Sequence, residues 1–231
     1  MPGTMRKSAC VFLALFLLSL SSLYRVGADT GLHLRLYKRQ QASLATGLRP
    51  EGVERAARAL TKCLTSGDTG HLTYRDHVYD RLQPVFNEKE IAHMGDVAHL
   101  FALLKRVVIL LGCSFLLLFL WSRASPSPWP PALVRGAALF LGLSALLILG
   151  ISWDFAGAFL LFHRLLFANE LWLMDPTADL IIRLMPQPFF EALAGRFALL
   201  SALWPLLALT TGLLLQKRRP KKRPMYRKKD P

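Results

Sequence analysis

Cysteine is scarce in this chain of 231 residues, which contains only three. Cys10 and Cys113 lie in apolar runs, Cys63 lies in a polar region, and no CxxC pair is present. This usage argues against a disulfide framework and against a zinc site. The sequence also lacks a GxSxG motif and has no cysteine beside a histidine, so no covalent acyl-enzyme is indicated.

Acidic residues are also few, with 15 against 29 basic residues and a formal net charge of +14. In a soluble protein this excess would suggest nucleic-acid binding. Nine of the basic residues, however, lie in the run 217–229, where Tyr226 is the only aromatic residue. Next to an apolar helix such a run is typical of a cytoplasmic anchor, so we predict no nucleic-acid partner.

Long apolar runs, by contrast, are abundant, and four of them are long enough to cross a hydrocarbon core of about 30 Å as helices. They lie at about 8–24, 100–121, 132–151 and 192–215. The sequence therefore predicts an all-α integral membrane protein with four transmembrane helices and a single domain over residues 1–231. Arg6 and Lys7 precede the first run, so it could be a signal peptide, but we expect an uncleaved helix.

The distribution of charge predicts the orientation of these helices. The connection 122–131, with the flanking Arg135, contains basic but no acidic residues, and the tail 216–231 contains a single acid, Asp230. We place these parts, with both termini, in the cytoplasm because basic residues are retained on that side. The other 14 of the 15 acidic residues lie in the segments 29–99 and 152–191, which are therefore expected to face outside.

Helical signals dominate the first outer segment. Pro50 opens a predicted helix at 53–64, and residues 74–85 are predicted to form a second amphipathic helix. Asn87, with Glu90 three residues later, forms a capping-box pattern. The helix that it starts should continue without a break into the second apolar run.

The second outer segment is unusually apolar for an exterior loop. Phenylalanines recur at helical spacing between residues 155 and 162, which favours a helix that lies in the membrane interface or re-enters the membrane. Asp175-Pro176 is predicted to form a turn and residues 179–185 a short helix. Both segments are thus expected to contribute helical structure to a site at the membrane surface.

Two histidines are predicted to lie near that surface. If the hydrocarbon begins near residue 100, His93 stands roughly 10 Å above it at 1.5 Å per residue. His163 lies in the apolar outer segment and is expected at a similar depth. Two imidazoles at this level could act together on a lipid, one as a base and the other polarising a carbonyl group.

Carboxylates accompany both histidines. Asp96 shares a helix face with His93 and could orient its ring, while Glu170 and Asp175 follow His163. With a further histidine these groups could hold a metal, but the sequence has no HExxH motif and the positions on the helix do not share one face. We therefore predict neither a metal nor a cofactor.

A purely structural role for the histidines is the alternative, because a lone interfacial histidine is more often a hydrogen-bonding group. His99 lies six residues after His93 and is expected to point elsewhere. His33, His71 and His77 lie in polar surroundings, so they are predicted to be solvated surface residues.

Two motifs carry a family resemblance. AHMGDV at 92–97 and FHRLLFANELWLMDPTADLIIRLMP at 162–186, with the predicted topology, resemble the lipoprotein intramolecular transacylases (Lit), small bacterial membrane proteins with four helices. The resemblance implies an enzyme of the bacterial inner membrane that acts on lipoproteins whose N-terminal cysteine carries an S-diacylglyceryl group. It would move the sn-2 acyl chain to the α-amine of that cysteine, leaving an N-acyl lyso-form lipoprotein.

The resemblance also implies the roles of particular residues. The family's two functional histidines correspond to His93 and His163, and Met94, Trp172 and Asp175 lie within the matching motifs. We expect His93 to be the base and His163 the hydrogen-bond donor, although the roles could be reversed. An intramolecular attack gains from proximity, and an α-amine with a pKa of about 7.7–8.0 can be deprotonated near neutral pH.

The acyl chains are expected to lie against Phe155, Phe159 and Phe162. The expected partners are diacylglyceryl-modified lipoproteins and membrane lipid, and the sequence does not indicate an oligomeric state. Two rival functions remain open at this point: a lipid-ester or lipid-phosphate hydrolase at the same site, and a non-catalytic scaffold for lipoproteins.

Overall fold

The fold is described from a computed structural model of the chain, which covers residues 3–218. All but the first two residues of the basic run at 217–229 lie outside this range. The elements in chain order are α1 (Gly3–Ala28), α2 (Thr30–Arg39), α3 (Ala42–Thr46), α4 (Pro50–Ser66), β1 (Arg75–Val78), β2 (Arg81–Pro84), α5 (Glu88–Arg123), α6 (Trp129–Trp153), α7 (Phe155–Leu166), α8 (Leu180–Leu184) and α9 (Gln187–Lys217).

Four of these helices, α1, α5, α6 and α9, are long and apolar enough to cross a membrane, which confirms the predicted architecture. α5 is the longest, with 36 residues. At 1.5 Å per residue it measures roughly 54 Å, well beyond a hydrocarbon core of about 30 Å. Its N-terminal third, which carries His93, therefore projects beyond the apolar span.

α1 occupies the centre of the transmembrane part, where it packs against α5, α6 and α9. Small residues permit these close helix contacts. A Cβ atom at Gly136 of α6 would come within 2.8 Å of the Ser8 carbonyl oxygen on α1, and one at Gly212 of α9 would come within 3.1 Å of the Pro130 carbonyl oxygen. Such contacts are typical of helix packing in membranes, where small residues allow backbones to approach.

Beyond the apolar spans, α2, α3, α4, the β1–β2 hairpin, α8 and the first turns of α5 form what we call the head region. Its side chains enclose a hydrophobic core that includes Tyr37, Leu60, Leu72, Leu184 and Phe189. The helix predicted at 53–64 is present as α4, with its proline in the first turn as expected. This core, which includes Met94 and Ala98, holds the start of α5 in a fixed position beyond the apolar span.

The structure corrects the prediction of a helix at 74–85, since this stretch forms the antiparallel hairpin β1–β2. Burial alternates along β1, where Asp76 and Val78 face inward. Tyr79 and Asp80 make the two-residue turn with φ values of 49° and 61°. This left-handed conformation suits a hairpin turn, although the residues that usually mark it, glycine and asparagine, are missing here.

The apolar stretch before α9 follows the prediction closely. α7 is a helix, a turn follows at residues 175–178, and α8 is a short helix. α7 exposes Leu161, Phe162 and Leu165 along one side, and Trp153 just before it is 93% exposed. A row of exposed apolar side chains is expected for a helix that lies against lipid.

Candidate active site

The candidate site is built on the first turns of α5, whose start is fixed by the predicted capping box. The Asn87 side chain accepts a hydrogen bond from the Glu90 N–H at 2.9 Å, and the Glu90 carboxylate accepts one from the Asn87 N–H at 2.8 Å. The second oxygen of Glu90 accepts a hydrogen bond from the Ile181 N–H of α8 at 2.6 Å. Glu90 is 1% exposed, so a buried carboxylate joins the starts of two helices.

Asp179 makes a second connection between these parts of the chain. Its carboxylate accepts hydrogen bonds from the Asn87 side chain and from the Asp175 N–H, both at 2.7 Å, and lies 3.4 Å from the Lys89 ammonium. Burial raises the pKa of Asp179, but these hydrogen bonds and the nearby Lys89 outweigh it, so the net pKa lies below its ordinary value. Lys89 also donates to the Leu173 carbonyl at 2.5 Å.

These contacts bring the two site histidines together from separate segments. His93 stands on α5 and His163 in the last turn of α7, and their ring centroids are 6.3 Å apart. Each histidine is 7% exposed. Phe167 packs against both rings, with centroid distances of 5.1 Å to His93 and 5.6 Å to His163, and Trp172 lies 5.2 Å from His163.

A hydrogen bond determines which nitrogen of His163 carries the proton. Its Nδ1 lies 2.8 Å from the Phe159 carbonyl oxygen, and a carbonyl only accepts, so Nδ1 carries the hydrogen. Burial lowers the pKa of His163 below its ordinary value, with the hydrogen bond to Phe159 partly opposing the shift. The ring is therefore neutral near pH 7, with the lone pair on Nε2.

His93 is surrounded differently. Its Nδ1 is buried and has no hydrogen-bond partner within residues 3–218. The predicted orienting partner, Asp96, instead accepts a hydrogen bond from the Asn169 side chain at 2.9 Å. Packing among aromatic rings and beside a second imidazole disfavours a positive charge on His93, because burial and a like charge both favour the neutral form.

Other residues named from the sequence lie at varying distances from the ring pair. Met94 is 4% exposed and packs into the core of the head region. Asp175 is exposed and accepts hydrogen bonds from Thr177, which lowers the pKa of its carboxyl. Glu170 is exposed in the same loop. The structure therefore brings Trp172 to the histidines but places Met94 and Asp175 in other surroundings.

The three phenylalanines that were expected to contact the acyl chains, Phe155, Phe159 and Phe162, lie next to the site. Phe159 stacks against Phe155 and lies 4.2 Å from the His163 ring by centroid. Phe162 lies 5.3 Å from the same ring and is 51% exposed. α7 thus connects the histidine pair to an apolar surface.

Several neighbours of the site were not predicted from the sequence. Phe167 was missed, although it follows His163 by four residues and therefore lies one turn further along the chain. Phe190 of α9 packs 5.1 Å from Phe159. Lys89 was also missed, because its partners at residues 173 and 179 are distant in the sequence and no local pattern indicates them.

The prediction for His33 was wrong, whereas His71 and His77 are exposed as expected. His33 is 3% exposed and packs edge-on against Phe189, with centroids 5.3 Å apart. Neither of its ring nitrogens has a hydrogen-bond partner in the described part of the chain. Burial lowers the pKa of His33 to about 4, with Asp29 partly opposing the shift. The cause is tertiary, because α2 folds back onto α4 and α9.

A cleft of about 630 Å³ lies between the hairpin and the starts of α5 and α8, and neither His93 nor His163 lines it. Among residues 3–218, no three histidine, cysteine, aspartate or glutamate side chains are grouped closely enough to hold a metal ion. Two imidazole rings in apolar surroundings can transfer protons and donate hydrogen bonds.

Four helices long and apolar enough to cross a membrane, with a head region that holds two imidazole rings beside an exposed apolar helix, define a protein of the membrane-integral class. The family model described as "Lipoprotein intramolecular transacylase Lit" matches residues 8–190. The chain belongs to this family, and it is accordingly an acyltransferase of the membrane. A comparison with curated protein sequences found no match.

Solved structures support the fold. The membrane-integral lipoprotein intramolecular transacylase Lit from Bacillus cereus is 21% identical, with a TM-score of 0.71 over 93% of this chain and 94% of that one. A second structure of that protein, carrying a histidine-to-alanine mutation, gives the same TM-score over 93% of this chain and 92% of that one. At this identity the likeness concerns the fold.

Proposed function

We propose that this chain moves the sn-2 acyl chain of an S-diacylglyceryl cysteine to the α-amine of the same cysteine, at the N-terminus of a bacterial lipoprotein. The observation that carries the proposal is the pair of imidazole rings, from separate segments, 6.3 Å apart by centroid. The family match supports the reaction class. The product would be an N-acyl lyso-form lipoprotein.

The reaction makes simple demands on the site. The amine nitrogen attacks the ester carbonyl, an amide N–C bond forms, the ester C–O bond breaks, and one proton passes from the nitrogen to the glycerol oxygen. Since both reacting groups belong to one substrate, holding them together supplies the proximity that a bimolecular reaction lacks. The protein must then provide a proton carrier and a donor for the oxyanion.

The hydrogen bonding favours His163 as the base and His93 as the donor, which reverses the roles expected from the sequence. His163, with its hydrogen on Nδ1 and a lone pair on Nε2, suits the base that takes the amine proton and returns it to the leaving oxygen. His93, neutral in its aromatic surroundings, suits the N–H donor to the developing oxyanion. Asp96, through Asn169, helps hold the loop that follows His163 rather than the His93 ring.

The substrate would approach from the lipid. Phe155, Phe159 and Phe162 form an apolar path from the exposed side of α7 to the His163 ring, suited to contact with the acyl chains. We propose that the site faces outside the bacterial inner membrane and that both termini are cytoplasmic, because the basic residues near α1 and α6 retain those ends inside.

Mass spectrometry of a lipoprotein N-terminus tests the proposal. Cells that make this protein should yield an N-acyl peptide with a monoacylglyceryl thioether. His163→Gln and His93→Gln should each lower its formation at least about 100-fold, because each removes a proton-transfer or oxyanion group. His99→Gln, an exposed histidine on the same helix, is the matched control and should retain full activity.

Other outcomes would point to other functions. Free fatty acid with an unmodified amine would indicate a hydrolase, and full activity of both variants would indicate that the histidines are structural. An unchanged diacylglyceryl cysteine, in cells where the wild-type protein is inserted and abundant, would overturn the proposal.

A further inference from the structure

A groove lies at the end of the molecule opposite to the histidine pair. It measures about 570 Å³ between the first turns of α1 and α6, and its lining includes Thr4, Ser8, Phe12, Arg135, Gly136 and Leu139. The start of α1 contacts the α5–α6 connection, since Lys7 donates to the carbonyl oxygen of Ser127. α5 runs 30 residues from His93 to Arg123, roughly 45 Å, so the groove and the histidines lie at different membrane surfaces.

The shape of this groove follows from small residues at the helix crossing. Gly136 allows α6 to approach Ser8 and Val11 of α1 closely. Ala9, a small and exposed residue, lines the groove together with Phe12 and Leu139. Leu139 is 57% exposed, so the groove has apolar walls and opens towards the lipid.

The charge at the rim of the groove is positive and uncompensated. Neither α1 nor α6 contains an acidic residue, and Arg135 forms no salt bridge within residues 3–218. The neighbouring cations serve the fold: buried Lys7 donates to the carbonyls of Ser125 and Ser127 and lies over Trp129. Arg6 lies over the ring of Trp121.

We propose that this groove binds one anionic phospholipid, with the phosphate on Arg135 and an acyl chain between Phe12 and Leu139. A guanidinium donates two parallel hydrogen bonds to phosphate oxygens, which favours arginine at such sites. The absence of carboxylates on both helices favours a headgroup of net negative charge over a zwitterionic one. The Thr4 hydroxyl stands at the same rim and can donate to the headgroup.

The amount of phospholipid that the protein retains after extraction from a bilayer tests this proposed site. The full chain is reconstituted in nanodiscs with equal amounts of phosphatidylglycerol and phosphatidylethanolamine, extracted into mild detergent, and analysed by native mass spectrometry. Wild type should retain one phosphatidylglycerol. Arg135→Gln should lower that retention about fivefold, which corresponds to roughly 1 kcal/mol for one basic residue at an anionic surface. Arg123→Gln removes the same charge at the same membrane surface, outside the groove, and should leave retention unchanged.

A second pair of variants tests, without a change in charge, the part of the groove that is proposed to hold the acyl chain. Ala9→Trp should fill the groove and lower retention, whereas Leu143→Trp, at an exposed lipid-facing position one turn beyond Leu139, should not. All four variants should still form the N-acyl product in cells if the wild type does, which shows that they fold.

Three results would overturn the inference. An equal loss of phosphatidylglycerol retention in Arg135→Gln and Arg123→Gln would indicate a diffuse basic surface rather than a specific site. Equal retention in all proteins, or retention of the two lipids in their bulk ratio, would show that the groove does not select an anionic lipid. None of these results depends on the proposed acyl transfer.

Discussion

At the scale of single residues, the two site histidines differ in what their Nδ1 atoms contact. His163 donates to the Phe159 carbonyl of the preceding turn, whereas Nδ1 of His93 is buried among aromatic rings. A backbone carbonyl cannot change its role, so the His163 tautomer is set before substrate binds. One ring is thereby prepared as an acceptor, and the other remains available as a donor.

His33 is a buried residue outside the proposed chemistry, and its burial has a measurable consequence. Its folded-state pKa of about 4 lies below the ordinary value of 6.5. Since the unfolded chain binds the proton more readily, stability should fall as the pH is lowered from about 6.5 to about 4, by about 3 kcal/mol in total. His33→Phe should remove this dependence.

Thermal unfolding in detergent between pH 4 and 7 checks this expectation. His77→Phe is the control, because His77 is exposed and its replacement should leave the pH dependence unchanged. An equally steep loss of stability in wild type and His33→Phe would show that other groups cause the acid sensitivity.

At the scale of elements, α5 links the membrane span to the site. Its capping box and the Glu90 contact with Ile181 connect the starts of α5 and α8, and Asp179 connects the intervening loop to Asn87. The loop 167–179 carries Phe167 and Trp172 against the histidine rings. The position of the site therefore depends on how the loop and α8 are attached to α5.

Glu90→Ala should test this attachment. The substitution removes the acceptor for the buried Ile181 N–H and for the partly buried Asn87 N–H, so we expect the free energy of unfolding to fall by about 2–3 kcal/mol. Activity should fall as well, because α8 and the loop before it lose a fixed anchor. Glu88→Ala is the matched control in the same helical turn, since Glu88 is exposed and its loss should change neither quantity by much.

Denaturant unfolding and the yield of N-acyl product give the two readouts. If Glu90→Ala and Glu88→Ala proved equally stable, the carboxylate contacts with Asn87 and Ile181 would not be holding the head region together.

At the scale of the whole molecule, α1 is the central helix and the head region stands at one end of the bundle. The proposed reaction requires that end to face outside. In a background without the three native cysteines, Lys62→Cys on α4 should react with a membrane-impermeant maleimide in intact spheroplasts. Ala124→Cys, exposed at the other end, should react only after the membrane is permeabilised.

The labelling pattern separates the two possible orientations. Labelling of Ala124→Cys but not Lys62→Cys in intact spheroplasts would place the histidines on the cytoplasmic side and contradict the proposed site of action.

Many features of this molecule could be predicted from the chain alone. The four spans follow from apolar length, because a membrane helix satisfies its backbone hydrogen bonds within itself. The start of α5 follows from Asn87 and Glu90, whose capping contacts extend over only three residues. The motifs around His93 and His163 were sufficient to predict the family, and the family match confirms that prediction.

Other features could not be predicted because their causes are distant in the sequence. The turn at Tyr79-Asp80 lacks glycine, so its hairpin was mistaken for a helix. The burial of His33 depends on α2 folding against Phe189.

Local interactions, which extend over a few residues, were enough to specify helices, caps and spans. The convergence of His93 with His163 required the folded chain, because contacts such as that between the Glu90 carboxylate and the Ile181 N–H join residues 91 positions apart.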